Sequence, residues 1–175
     1  MEEPRDLLRK ALTSDEKSFE PGHPSIAGSR SNLALVLRDL GQLEEARDLL
    51  REALASNEKS FEPGHPSIAD SQSNLALVLQ DLEQLKESRD LLRKALASDE
   101  QSFEPGHPSI ASSQSNLAMV LKDLGKLDEA RDLLGKAYSS SLVRYGPDFP
   151  KTKVFKRNLD SLPESDASAA GGERT

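Results

Sequence analysis

The stretch that decides the fold runs from His65 to Gly106 and reads HPSIADSQSNLALVLQDLEQLKESRDLLRKALASDEQSFEPG. The chain says nearly the same thing on either side of it. His23, His65 and His107 are spaced by 42 residues, as are Phe19, Phe61 and Phe103. A fixed period of this size marks an architecture of stacked units, each too small to bury its own apolar face alone. Between residues 4–45 and 46–87 there are about 9 changes in 42 positions. What such a stack offers is surface for binding.

Each unit reads as two helices. In the second of them Leu49, Leu50, Ala53 and Leu54 recur as Leu91, Leu92, Ala95 and Leu96, and earlier as Leu7, Leu8, Ala11 and Leu12. Apolar residues at i, i+1, i+4 and i+5 form one face of a helix with charges opposite. Pro4, which stands where later copies have Ala46, Ser88 and Ala130, places the start of the earliest copy at about residue 4. The connection Ser-Phe-Glu-Pro-Gly-His-Pro then closes one helix and opens the next, with Pro66 suited to the first helical position and His65 to the cap.

The first helices are predicted over 24–40, 66–82 and 108–124, with Ile68, Leu75, Ala76, Leu79 and Leu82 as the buried stripe of the middle one. A turn at Gly41 or Gly125 leads onward; in the middle copy that residue is Glu83, a costly occupant if the backbone is left-handed there. Tyr145-Gly-Pro-Asp-Phe-Pro repeats the connection in degenerate form. Val154, Phe155, Leu159 and Leu162 then form one closing helix stopped by Pro163. Residues 2–162 are thus read as one repeat domain with units at about 24–65, 66–107 and 108–149 and half units at 2–23 and 150–162. The polar residues 163–175 are read as a disordered tail.

Composition excludes several functions. Of 175 residues 35% are hydrophobic and 30% charged, with a net charge of −7, so no basic stripe for nucleic acid is expected. There is no cysteine for disulfides or thiolate metal sites. No apolar run approaches the roughly 20 residues of a membrane span, and the start is not a signal peptide. The expected class is a soluble, cytoplasmic, all-α protein without membrane attachment. The three histidines invite a metal reading, but stacked copies would lie about 10 Å apart, too far to share one ion. They are read as caps of the loop. No phosphate loop, acid–base pair or nucleophilic triad is recognisable, so neither a cofactor nor catalysis is expected.

The core Asn-Leu-Ala-Leu-Val-Leu, followed by Asp-Leu-Gly-Gln-Leu-Glu-Glu-Ala and Leu-Leu-Arg-Glu-Ala-Leu, resembles a tetratricopeptide repeat. Leu75 and Ala76 fill the large and small places of its first helix; Ala46 or Ala130, with Ala53, Ala95 and Ala137, fill the small places of its second. The common unit has about 34 residues, and this one carries eight more. With the Gly-His-Pro entry, it looks like the kinesin light chain and nephrocystin type. At Gln72 and Gln114 the aromatic of the common form is missing, which thins the core.

The resemblance implies a right-handed superhelical solenoid of antiparallel helix pairs, whose first helices line a concave groove that holds a peptide or helix of a partner protein. By the family's geometry the groove columns are Ser31, Ser73 and Ser115; Asn32, Asn74 and Asn116; Leu35, Leu77 and Met119; and Arg38, Gln80 and Lys122. Gly28, Asp70 and Ser112, with Asp39, Asp81 and Asp123, lie beside them. Asparagine suits a peptide backbone because one carboxamide both donates and accepts; the alternative is that these asparagines tie neighbouring helices together. The Arg38 and Lys122 column fits an acidic ligand, or else forms solvated pairs with the neighbouring aspartates. A second reading is weak head-to-tail self-association, since the chain opens on a second helix and closes on a first. A third is a fragment of a longer repeat protein, since Met1 stands in the place of Leu43.

Overall fold

The computed structural model describes residues 3–163. Among them eight α-helices follow one another: α1 Pro4–Ser18, α2 Pro24–Asp39, α3 Leu43–Ser60, α4 Pro66–Asp81, α5 Leu85–Ser102, α6 Pro108–Asp123, α7 Leu127–Tyr145 and α8 Pro150–Asp160. The described residues contain no strand. No helix among them is long and apolar enough to cross a membrane. They form two compact units, one holding α1 to α5 and ending at Glu104, the other holding α6 to α8 from Pro105 onward. In each, every helix packs on its neighbour in sequence. First helices also meet one another, α2 against α4 and α6 against α8. The tail expected from residue 163 lies, from 164 onward, outside the described residues.

Local chemistry starts each first helix. His65 sits at the N-cap in extended backbone (φ −63°, ψ 137°), and its Nδ1 accepts the Ser67 N–H at 3.1 Å, with Pro66 following. His23 and His107 do the same for Ser25 and Ser109 at 3.1 and 3.2 Å. The imidazole also stacks on the phenylalanine four residues earlier, with centroids 4.2 Å apart for Phe19 and His23 and 4.0 Å for Phe61 and His65. Tyr145 and Phe149 keep the stack in the degenerate copy at 4.5 Å, where the cap side chain is gone.

The ends are equally local. At the end of α4 the Glu83 N–H bonds to Gln80 O and the Gln84 N–H to Leu79 O, at 2.9 and 2.8 Å, and the same pair of bonds closes α2 and α6. This 6→1 closure needs a left-handed residue. Gly41 and Gly125 supply it at φ 75° and 73°, and Glu83 adopts it at φ 59°. A Cβ at Gly41 or Gly125 would meet nothing within 4 Å, so the strain at Glu83 is conformational rather than steric. Glu83→Gly is expected to raise stability by about 1 kcal/mol, read as a higher melting midpoint; a lower one would contradict the role of the turn.

The core follows the apolar stripes. Leu37, Leu79 and Leu121 on the first helices and Leu50, Leu92 and Leu134 on the second are at most 1% exposed. Small residues let the helix pairs close: Ala34, Ala76 and Ala118 oppose Ala46, Ser88 and Ala130, all 0% exposed. The one hydroxyl among them, on Ser88, donates to Ala76 O at 2.6 Å. Three expectations are corrected. Leu82 is only half-buried, because the helix ends one residue earlier than expected and Leu82 becomes its C-cap. In α1 only Leu12 of the apolar stripe is buried, Leu7 being 52% exposed, since no described helix covers its outer side. α8 stops at Asp160, before Pro163, with Ser161 as its cap, and Val154 is exposed while Phe155 and Leu162 are buried.

Candidate functional site

On α2 the buried residues Ile26, Ala27, Leu33, Ala34 and Leu37 occupy one side. At 100° per residue, Gly28, Asn32, Leu35 and Asp39 fall on the other. Asn32 is exposed, and Ser31, Leu35 and Arg38 are half-buried; on α4 the matching Ser73, Asn74, Leu77 and Gln80 are all half-buried. The two helices lie side by side, and Arg38 crosses between them to Asp81 with Nε to Oδ2 at 2.5 Å and Nη2 to Oδ1 at 3.3 Å. The structure therefore brings eight of the expected residues onto one continuous face. Arg38 is spent on an ion pair with the next repeat, the solvated-pair alternative raised above.

The second unit has its own version of this face, between α6 and α8. Asn158 Nδ2 donates to Ser115 Oγ at 3.3 Å, Lys122 Nζ to Ser161 Oγ at 3.3 Å, and Lys151 Nζ to Ser112 Oγ at 3.0 Å. Ser115 and Lys122 thus tie α6 to α8, and Asn158 shows that an asparagine in this column can link helices. Asn116 and Met119 are half-buried on the same helix. Among the described residues the carboxamides of Asn32, Asn74 and Asn116 make no hydrogen bond.

Beside Asn74, Asp70 is open to solvent on one side, but α5 crowds the other. Burial first, and the negative charge of Asp99 second, raise its carboxyl above the usual value. Sequence reasoning missed a polar row, buried at Asn57 and Ser141 and half-buried at Asp15. Asn57 Nδ2 donates to Ser71 Oγ at 2.8 Å and to Ser67 O at 3.3 Å, Ser29 Oγ donates to Asp15 Oδ2 at 2.5 Å, and Ser141 and Thr152 pair at 2.6 Å. Asp15, Asn57 and Ser141 share a register in the 42-residue period, and that shared polarity on an otherwise apolar side was the available signal. Each bond pins a second helix to the following first helix. Among the described residues no three histidine, cysteine, aspartate or glutamate side chains gather to hold a metal ion.

Two tetratricopeptide-repeat models match the chain, one over residues 26–67 and the other over residues 67–141. The chain belongs to the tetratricopeptide-repeat family. Its repeats are of the kinesin light chain type. The crystal structure of a putative kinesin light chain from Podosopora anserina, with nearly identical TPR-like repeats, is 28% identical to it. That likeness covers 89% of this chain and 74% of that one with a TM-score of 0.75. A glutamine-to-methionine variant of the same protein gives 28% identity, 89% and 73% coverage and a TM-score of 0.76. BtubC (BKLC) from P. vanneervenii is 20% identical over 87% of this chain and 64% of that one, with a TM-score of 0.69; at this identity the likeness shows the fold alone. No curated protein matches the chain. Tetratricopeptide repeats generally mediate protein–protein interaction or self-assembly, and the family is generally non-enzymatic.

Proposed function

We propose that this tetratricopeptide-repeat chain is a non-catalytic scaffold that holds an extended peptide or a helix of a partner protein on the face made by its first helices. The observation that carries this reading is the α2–α4 face. There Asn32 and Asn74 present carboxamides that no described residue uses, flanked by the half-buried Leu35 and Leu77. A carboxamide can accept one backbone N–H and donate to one backbone C=O of a bound strand. The leucines supply apolar surface beneath it. The ligand need not be acidic, since Arg38 is neutralised by Asp81 within the protein.

Partners recovered by affinity purification and identified by mass spectrometry provide the ligand for the test. Replacing both Asn32 and Asn74 by alanine removes two hydrogen bonds of about 1 kcal/mol each, so affinity should fall about tenfold or more. Neither side chain supports the core, so the circular dichroism spectrum should not change. Undiminished affinity in the double variant would remove this face from the binding site.

A further inference from the structure

In the first repeat Arg30 fills the space between α1 and α3. Its side chain is only 18% exposed, and its Nη2 donates to Glu16 Oε1 at 3.1 Å. Its Nε lies 3.1 Å from Glu52 Oε2, but that N–H is not aimed at the oxygen, so the second contact is ionic rather than a hydrogen bond. One glutamate comes from the helix before Arg30 and one from the helix after it.

Each of the three has a counterpart 42 residues on. Glu16 becomes Glu58, Arg30 becomes Gln72 and Glu52 becomes Lys94. One carboxylate is kept, the guanidinium is cut back to a carboxamide, and the other carboxylate gives way to an ammonium. In that second repeat the space is open. Glu58, Gln72 and Lys94 line a cleft of about 490 Å³ between α3 and α5, together with Phe61, Ile68 and Ala97. Gln72 is 6% exposed, and its Oε1 is buried without a hydrogen-bond partner. A buried acceptor without a donor is costly, and rotation about the terminal bond of Gln72 turns it toward the cleft.

We propose that this cleft receives an arginine side chain of a partner protein, in the place that Arg30 occupies in the first repeat. A guanidinium brings five donors and no acceptor. Glu58 offers it the carboxylate that Glu16 offers Arg30, and the Gln72 carbonyl offers a second acceptor. Phe61, Ile68 and Ala97 cover the aliphatic stem and give the cation an aromatic face. Lys94 balances Glu58, so the empty cleft carries no net charge and the incoming arginine must outcompete it. The repeat has lost its own plug and kept the socket.

The probe is N-acetyl-arginine amide, titrated into the isotopically labelled full-length chain and read on the Gln72 carboxamide and Ile68 methyl resonances. Saturable shifts at about millimolar concentration are expected from a ligand of this size. Lys94→Glu restores the second carboxylate and should tighten binding about fivefold. Gln72→Arg combined with Lys94→Glu rebuilds the first repeat's arrangement and should abolish the shifts at Ile68. Equal shifts with N-acetyl-norleucine amide or N-acetyl-lysine amide would overturn the proposal, as would undiminished binding to the doubly substituted chain. If that double variant does not fold, Lys94→Glu decides alone: an affinity equal to that of the unaltered chain overturns it.

Discussion

Leu79→Ala should lower the free energy of unfolding by about 3 kcal/mol, read as a shift in the urea midpoint at unchanged slope. Leu79 is 0% exposed and belongs to a cluster with Leu37, Leu50, Leu75 and Val78. It faces α5 on one side and the previous helix pair on the other, so no single helix can move in to fill the gap. The cost combines lost transfer energy with a cavity that stays open. Leu40→Ala is the internal control. Leu40 is 53% exposed at the C-cap of α2, and its truncation should change stability by less than about 0.5 kcal/mol.

Ala76→Leu should cost nearly as much by the opposite route, about 2–3 kcal/mol. Ala76 is 0% exposed where α4 and α5 cross, and its carbonyl is 2.6 Å from the Ser88 hydroxyl. A side chain cannot be added there without separating the two backbones. That separation would also break the Ser88 bond and leave a buried carbonyl without a donor. Denaturant unfolding measures the loss. In a spectrum of the labelled protein the largest changes should fall on residues of α4 and α5, because the small–small contact is repeated independently at Ala34 with Ala46 and at Ala118 with Ala130. A variant as stable as the original would mean that the helices are not held apart by these alanines.

The elements that could be read from the chain alone are those fixed by neighbours in sequence. The His65 cap, Pro66 at the first helical position and the left-handed Glu83 each follow from a few adjacent residues and a known backbone geometry, and each is found where expected. The apolar stripes were legible for the same reason, because a 3.6-residue period states which side is buried. Leu82 was misjudged because periodicity carries past the point where the helix actually ends. The polar row through Asn57 and the cleft at Gln72 could not be read this way, since their partners lie 10 to 22 residues off and on other helices. A signal for the cleft was nevertheless present. Arg30 to Gln72 is one of the about 9 differences between the first two copies, and the next period brings Glu52 to Lys94. Read singly, each looks like an exchange on a solvated surface; only the fold shows that they are two ends of one ion pair.

Each unit is eight residues longer than the common one. Yet the connection from α3 to α4 is only residues 61–65, so the added segment continues α3 to Ser60 before it turns. Here the added segment is not slack. Ser60 and Ser102 donate to the carbonyls of Gly22 and Gly64 in the preceding connection, at 3.1 and 2.9 Å. The Phe61–His65 stack fixes the connection from within. Phe61, Pro63 and Gly64 then stand as one wall of the cleft at Gln72. A repeat trimmed to the common length would have a shorter second helix and no such wall. The surplus residues enlarge the repertoire of surfaces that a repeat can present.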